Sequence, residues 1–141
     1  MAQETLSQYA LSTFIEPLSA PSLKPESTFI EAITWFDTHN LDFCCVLDDR
    51  NCLCGLLRRT DVMRAIETGV QPHTPVHHFM TKEPIAMAPE DSSVLAAVTM
   101  RDHGFTQLPV IDRHNRRLHG YVRAERMLSV IVCHQPANAS P

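Results

Sequence analysis

At 141 residues, with 44% hydrophobic residues, 20% charged residues and only four glycines, the chain has the composition of a folded globular protein and not of a disordered or fibrous one. Its formal charge of −4 offers no overall attraction to nucleic acid or to an anionic membrane, so any anion site must be local. Two units of about 60 residues, each marginal alone, can be stable here by sharing a core.

The first ten residues, MAQETLSQYA, lack the basic and apolar blocks of a secretory signal, and no apolar run approaches the ~20 residues of a membrane helix, so a cytoplasmic location is expected. Residues 1–13 are set aside as an N-terminal segment. The organising signal follows it: TFIEAITWFDTHNLDFCCVLD (28–48) lies over SSVLAAVTMRDHGFTQLPVID (92–112) at a constant offset of 64. Pro25-Glu26 answers Pro89-Glu90, Ala32 answers Ala96, His39 answers His103, Val46 answers Val110 and Asp48 answers Asp112; one inserted residue then makes Gly55 answer Gly120.

In chain order, the first copy (14–69) opens with a short extended piece, Pro21 to Lys24, followed by Ser27, predicted to cap a helix whose apolar stripe is Phe29, Ile33 and Phe36. Two strands, Phe43 to Leu47 and Cys52 to Leu57, flank the polar turn Asp48 to Asn51, and a second helix runs from about Thr60 to Thr68 with Gly69 as its stop. Val70 to Pro75 reads as a linker (70–75), because Pro72 and Pro75 forbid a continuous helix. The second copy (76–134) repeats the order: Pro84 to Ala88 extended, Asp91 as cap, a helix striped by Val94, Val98 and Arg101 with Leu95 and Ala97 widening it. Strands at Leu108 to Ile111 and Leu118 to Val122 and a helix from about Ala124 to Val132 complete it, with 135–141 a polar tail. Each copy is thus β-α-β-β-α, and the fold class is α+β.

No nucleophile with its base and no glycine-rich phosphate loop is present, so the chain reads as non-catalytic. Of the cysteines Cys44, Cys45, Cys52, Cys54 and Cys133, the adjacent pair points to opposite faces of a strand and no paired C-x-x-C spacing occurs; buried, reduced thiols are expected, without metal. Pro75 breaks any helix that would bring His73 and His77 or His78 together as ligands. His39 and His103, at matching positions before a strand, point to a shared structural role. The turn arginines Arg113, Arg116 and Arg117 read as a solvated hairpin.

Three segments, HFMTKEPI (78–85), FTQLPVID (105–112) and GLLRRTD (55–61), resemble recurring blocks of the CBS domain family, and over residues 14–133 the chain resembles a tandem CBS pair, or Bateman module. The resemblance implies two pseudo-symmetric units packed through their sheets, two clefts between them, and often a homodimer of such pairs. It also implies an adenosine-containing ligand such as AMP, ADP or ATP, with S-adenosylmethionine and cyclic dinucleotides left open, and no catalytic cofactor.

The family motif places Asp61 where a carboxylate accepts both ribose hydroxyls. Thr60 and nearby amides can hold a phosphate, Arg58 replaces the usual Ser or Thr, and Leu57 precedes it. Thr81, Pro84, Ile85, Thr106, Gln107 and Leu108 match the positions of the opposite wall. In the second copy Arg123 and Arg126 replace the hydroxyl residue and the aspartate; with Phe43 they make up a second candidate cleft, whose ribose capture is compromised because an arginine accepts no hydrogen bond. Binding at the resembling site would favour one orientation of the copies and so signal to a regulated partner. The rival readings are a structural or dimerisation module with empty clefts and, opposed by the net charge, a nucleic-acid binder.

Overall fold

The computed structural model describes residues 10–18 and 20–127. The fold is α+β, and among the described residues the chain divides into two compact units: a first of residues 18–85 with His114–Leu118, and a second of residues 10–17, 86–113 and 119–127. Among the described residues no helix is long and apolar enough to cross a membrane.

In the first unit, helix α1 (Phe29–Thr38) leads to strands β1 (Phe43–Leu47) and β2 (Leu53–Arg58), helix α2 (Arg59–Glu67) and a short strand β3 (Thr81–Lys82). The sheet order is β1-β2-β3, antiparallel throughout. Leu23 bridges Val46 in parallel, Leu23 N–H donating to Cys45 O at 3.1 Å and Leu47 N–H to Leu23 O at 2.9 Å. All five residues of β1 are buried, so both faces of the strand are covered and Cys44 and Cys45 are both enclosed. Phe29, Ala32, Trp35 and Phe36 of α1 pack on β1, β2 and α2 through Cys44, Val46, Leu57, Val62 and Ala65.

The second unit repeats this with helix α3 (Ser93–His103) and strands β4 (Gln107–Ile111) and β5 (Leu118–Arg123). Met87 bridges Val110 in parallel with the same two bonds, Met87 N–H to Pro109 O at 3.1 Å and Ile111 N–H to Met87 O at 2.8 Å. Its core gathers Leu11, Ala96, Ala97, Met100, Leu108, Val110 and Val122. Residues 124–127 open the next helix. The rest of that predicted span to Val132, with Cys133 and the tail 135–141, lies outside the described residues.

The helix starts differ from the predicted ones by one residue. Thr28, not Ser27, caps α1: Glu31 N–H donates to its Oγ1 at 3.3 Å, and the Glu31 carboxylate accepts from Thr28 N–H at 3.4 Å, a capping box. Ser92, not Asp91, caps α3, accepting from Val94 and Leu95 N–H. Ser27 and Asp91 instead close the preceding turn in the same way, accepting from Lys24 N–H at 2.9 Å and Ala88 N–H at 2.8 Å. Gly69 stops α2 as predicted, with φ +77°; Val70 N–H reaches Ala65 O and Gly69 N–H reaches Ile66 O, satisfying carbonyls that the helix leaves unpaired.

The stripe of α3 also departs from expectation. Ser93, Ala96, Ala97 and Met100 are buried, whereas Leu95 and Arg101 are exposed and Val94 and Val98 only half-buried. These buried positions are the repeat equivalents of Phe29, Ala32, Ile33 and Phe36. The helix turns toward the core the face that tertiary packing selects, although its own most apolar side chains lie elsewhere.

Residues 76–85, which the repeat assigns to the second copy, pack with the first unit. Val76 is fully buried in its core, and β3 pairs with β2 through Gly55↔Lys82 and Leu56↔Thr81. Residues 10–17, which run from the N-terminal segment set aside (1–13) into the start of the first copy, do the corresponding thing in the second unit: Leu11 is fully buried there and Glu16 pairs with Tyr121. Leu11 N–H donates to Asp91 O as Val76 N–H donates to Ser27 O, and Ser12 N–H to Pro89 O as His77 N–H to Pro25 O. Each unit is therefore completed by a segment that lies N-terminal to the first helix of the other copy.

Candidate functional site

Strand β2 runs directly into α2, so Arg58 is both the last residue of the strand and the cap of the helix. Asp61, in the first turn, folds back: its Oδ2 accepts the Arg58 backbone N–H at 2.8 Å. Its Oδ1 faces the guanidinium of the exposed Arg64 at 3.9 Å, and the Asp61 side chain is 14% exposed. The carboxylate is thus fixed through one oxygen while the other has a long contact to a mobile type of partner. Thr60 beside it is exposed, and Leu57 is fully buried below.

The Arg58 guanidinium is half-buried, and desolvation lowers its pKa against the raising influence of Asp61 and Asp42. Arg59, the next residue, is anchored: its Nη2 donates to His39 O at 3.1 Å and its guanidinium lies 5.4 Å from the Phe36 ring centre. His39 ends α1, its N–H donating to Trp35 O, and His103 ends α3, its ring against Phe105. Both histidines are helix-end residues, as their matching positions imply.

Of the predicted site residues, the first unit brings together Leu57, Arg58, Thr60 and Asp61, with the exposed Thr81 on β3 opposite Leu56. Pro84 lies toward the other end of β2. The antiparallel register carries the chain after Thr81 toward the start of β2, and Pro84 lines a pocket of about 700 Å³ with Asp48, Cys52, Leu53, Cys54 and Arg116. At about 3.3 Å per strand residue, that end of β2 lies well over 10 Å from Arg58. Phe43, assigned to the second candidate cleft, pairs with Arg58 in the first unit, whereas Arg123 and Arg126 belong to the second. Thr106, Gln107 and Leu108 also lie in the second unit, Thr106 exposed and the other two buried.

In the second unit, Arg123 Nε donates to Glu16 Oε2 at 2.8 Å and its Nη1 to Glu125 at 2.7 Å, while Arg126 stands 3.9 Å from Glu16. Glu16 escapes sequence reasoning because residues 10–17 share only Phe14 with the matching residues 75–82, where it is Phe79. Its position one register step from the Gly120 counterpart of Gly55 emerges only from the pairing with Tyr121.

Residues 76–133 match the family model of the CBS domain. These residues carry a CBS domain. Among curated relatives, it is 33% identical over 101 residues to an uncharacterised 17.7 kDa protein of Acidianus ambivalens, covering 71% of this chain and 60% of that one. It spans 32% and 35% of the length of two further curated relatives. Its fold is that of solved CBS-domain pairs. A CBSX2 structure in complex with AMP superposes with TM-score 0.75 at 19% identity, covering 89% of this chain and 97% of that one. A CBS domain pair in complex with 5′-methylthioadenosine and S-adenosyl-L-methionine gives TM-score 0.69 at 19% identity, covering 89% and 98%. The sequence match begins at residue 76, where the repeat places the second copy, although in space residues 76–85 belong with the first unit.

Proposed function

We propose that the chain is a non-catalytic regulatory module that binds an adenosine-containing ligand of the AMP, ADP or ATP class at the start of α2 and signals to a partner protein in the cytoplasm. The observation that carries this reading is the Asp61 carboxylate: Oδ2 is spent on Arg58 N–H, which fixes the group, and Oδ1, with a long 3.9 Å contact to Arg64, can accept from ribose-type hydroxyls. Arg58 and the exposed Thr60 supply a cation and a hydroxyl for phosphate beside it, and Thr81 adds a second hydroxyl from β3. The adenosine-containing ligands of the two solved pairs support the ligand class.

The test is calorimetric titration of the chain with AMP, ADP, ATP and S-adenosylmethionine, repeated on Asp61→Asn. Asparagine can keep the bond from Arg58 N–H with its carbonyl while replacing the second acceptor by a donor, so binding is lost without loss of the helix start. Binding that survives the substitution counts against the reading.

A second reading, a structural or dimerisation module, is favoured by one observation: Asp61 already has an internal use as the reach-back partner of Arg58. The half-exposed Ile30, Met63 and Ile66 on α1 and α2 supply apolar surface for the homodimer that both readings include. Sedimentation of Met63→Glu, expected to shift a dimer toward monomer, tests that element.

A further inference from the structure

Glu16 and Thr81 are equivalents: Glu16 pairs with Tyr121 as Thr81 pairs with Leu56, one residue after Gly120 and Gly55. Arg123 and Arg126 are likewise the equivalents of Arg58 and Asp61. In the second unit the two arginines approach one oxygen, Glu16 Oε2, Arg123 Nε within hydrogen-bond reach at 2.8 Å and Arg126 Nη1 at a longer 3.9 Å. The carboxylate is well covered, 18% exposed, while Arg123 and Arg126 are 36% and 47% exposed. The bond to Glu16 is the main influence holding the Arg123 guanidinium above its usual pKa. The other arm of Arg123 contacts Glu125, 72% exposed at the surface.

Two guanidiniums directed at a single anionic oxygen form the arrangement proteins use for phosphoryl groups. Here the oxygen comes from the chain itself. We propose that Glu16 is an intramolecular stand-in for a phosphoryl anion, a latch that keeps the Arg123–Arg126 pair of the second unit closed to ligand. The uncharged Thr81 gives the first unit no such latch. Because Glu16 is tied to Tyr121 through its backbone, N–H to Tyr121 O at 2.8 Å and O from Tyr121 N–H at 2.9 Å, its side chain can be replaced with the strand left in place.

The experiment uses the full chain with Asp61→Asn and Arg58→Ala in every arm, so that neither the ribose acceptor nor the phosphate cation of the first unit contributes, and sodium pyrophosphate as calorimetric probe. Adding Glu16→Gln is expected to tighten pyrophosphate binding by about tenfold, the worth of one charge-assisted hydrogen bond released to the ligand, and Arg126→Ala is expected to abolish the gain. Glu16→Thr, which installs the side chain the first unit carries at this place, repeats the test should the glutamine variant fail to fold. ATP should follow pyrophosphate, and adenosine should show no gain. Unchanged pyrophosphate affinity in a folded Glu16 variant, a gain that survives Arg126→Ala, or an equal gain for adenosine overturns the proposal. Since Asp61 is absent from every arm, failure here leaves the Asp61 reading intact, and failure of that reading does not touch this one.

Discussion

The backbone N–H of Arg58 donates to Asp61 Oδ2 at 2.8 Å, so the side chain proposed to hold the ligand also holds the first turn of α2. Asp61→Ala removes both roles and is expected to cost about 1 kcal/mol, the usual worth of a helix-start side-chain bond. Asp61→Asn keeps most of that stability. Urea unfolding of the two variants separates the structural share of Asp61 from its binding share, and equal destabilisation by both would show that the charge, not the bond, holds the turn.

Gly55 and Gly120 are repeat equivalents with unequal tolerance. A Cβ at Gly120 would run into the Glu16 backbone oxygen and the Ile15 side chain, and φ there is +154°, whereas a Cβ at Gly55 would meet only the Met80 side chain. Backbone cannot step aside, but a flexible thioether can. Gly120→Ala is therefore expected to cost about 3 kcal/mol and Gly55→Ala about 1 kcal/mol in thermal or denaturant unfolding.

Leu11 lies before the predicted start of the first copy, yet it is fully buried in the core of the second unit. Leu11→Ala is expected to cost about 3 kcal/mol, as deletion of a core leucine side chain does, where a surface segment would lose almost nothing. A chemical melt of this single variant decides whether residues 10–17 are part of the fold.

That segment also marks where the sequence stops being legible. The period changes along each copy, together with Gly69, were enough to place α1 to α3 and strands β1, β2, β4 and β5 to within a residue or two, since these features depend on local chemistry, whereas β3 was not foreseen. The exchange of residues 10–17 and 76–85 between units depends on pairings between segments far apart in the chain, Glu16 with Tyr121 and Gly55 with Lys82, and leaves only a shared phenylalanine as a trace. Asp61 and Arg58 were legible because a motif carries them. Glu16, whose contacts are to two arginines more than a hundred residues away, was not.

Burial pushes the thiols of Cys44 and Cys45 up to about 12 from 9.0, with the adjacent Cys45 adding to the rise at Cys44. Both are protonated in the folded chain at neutral pH, and iodoacetamide at about pH 8 is expected to label the half-buried Cys52 and Cys54 ahead of Cys44 and Cys45, read by peptide mass spectrometry. The sign for stability follows from the raised values: the contribution is complete below pH 9 and is lost as the pH rises from 9 toward 12, where the unfolded chain releases protons the folded one keeps. Unfolding followed against pH should show stability falling across that window; a flat profile there would mean that the two thiols are hydrated in the folded chain.

The most direct test of ligand binding at the start of α2 is the stoichiometry and Asp61 dependence of AMP, ADP or ATP binding, measured by isothermal titration calorimetry on the full chain. The expected result is saturable binding with one site per chain, lost in Asp61→Asn while the variant stays folded. Binding that persists in folded Asp61→Asn, or no binding of any of these nucleotides to the unmodified chain, would contradict it.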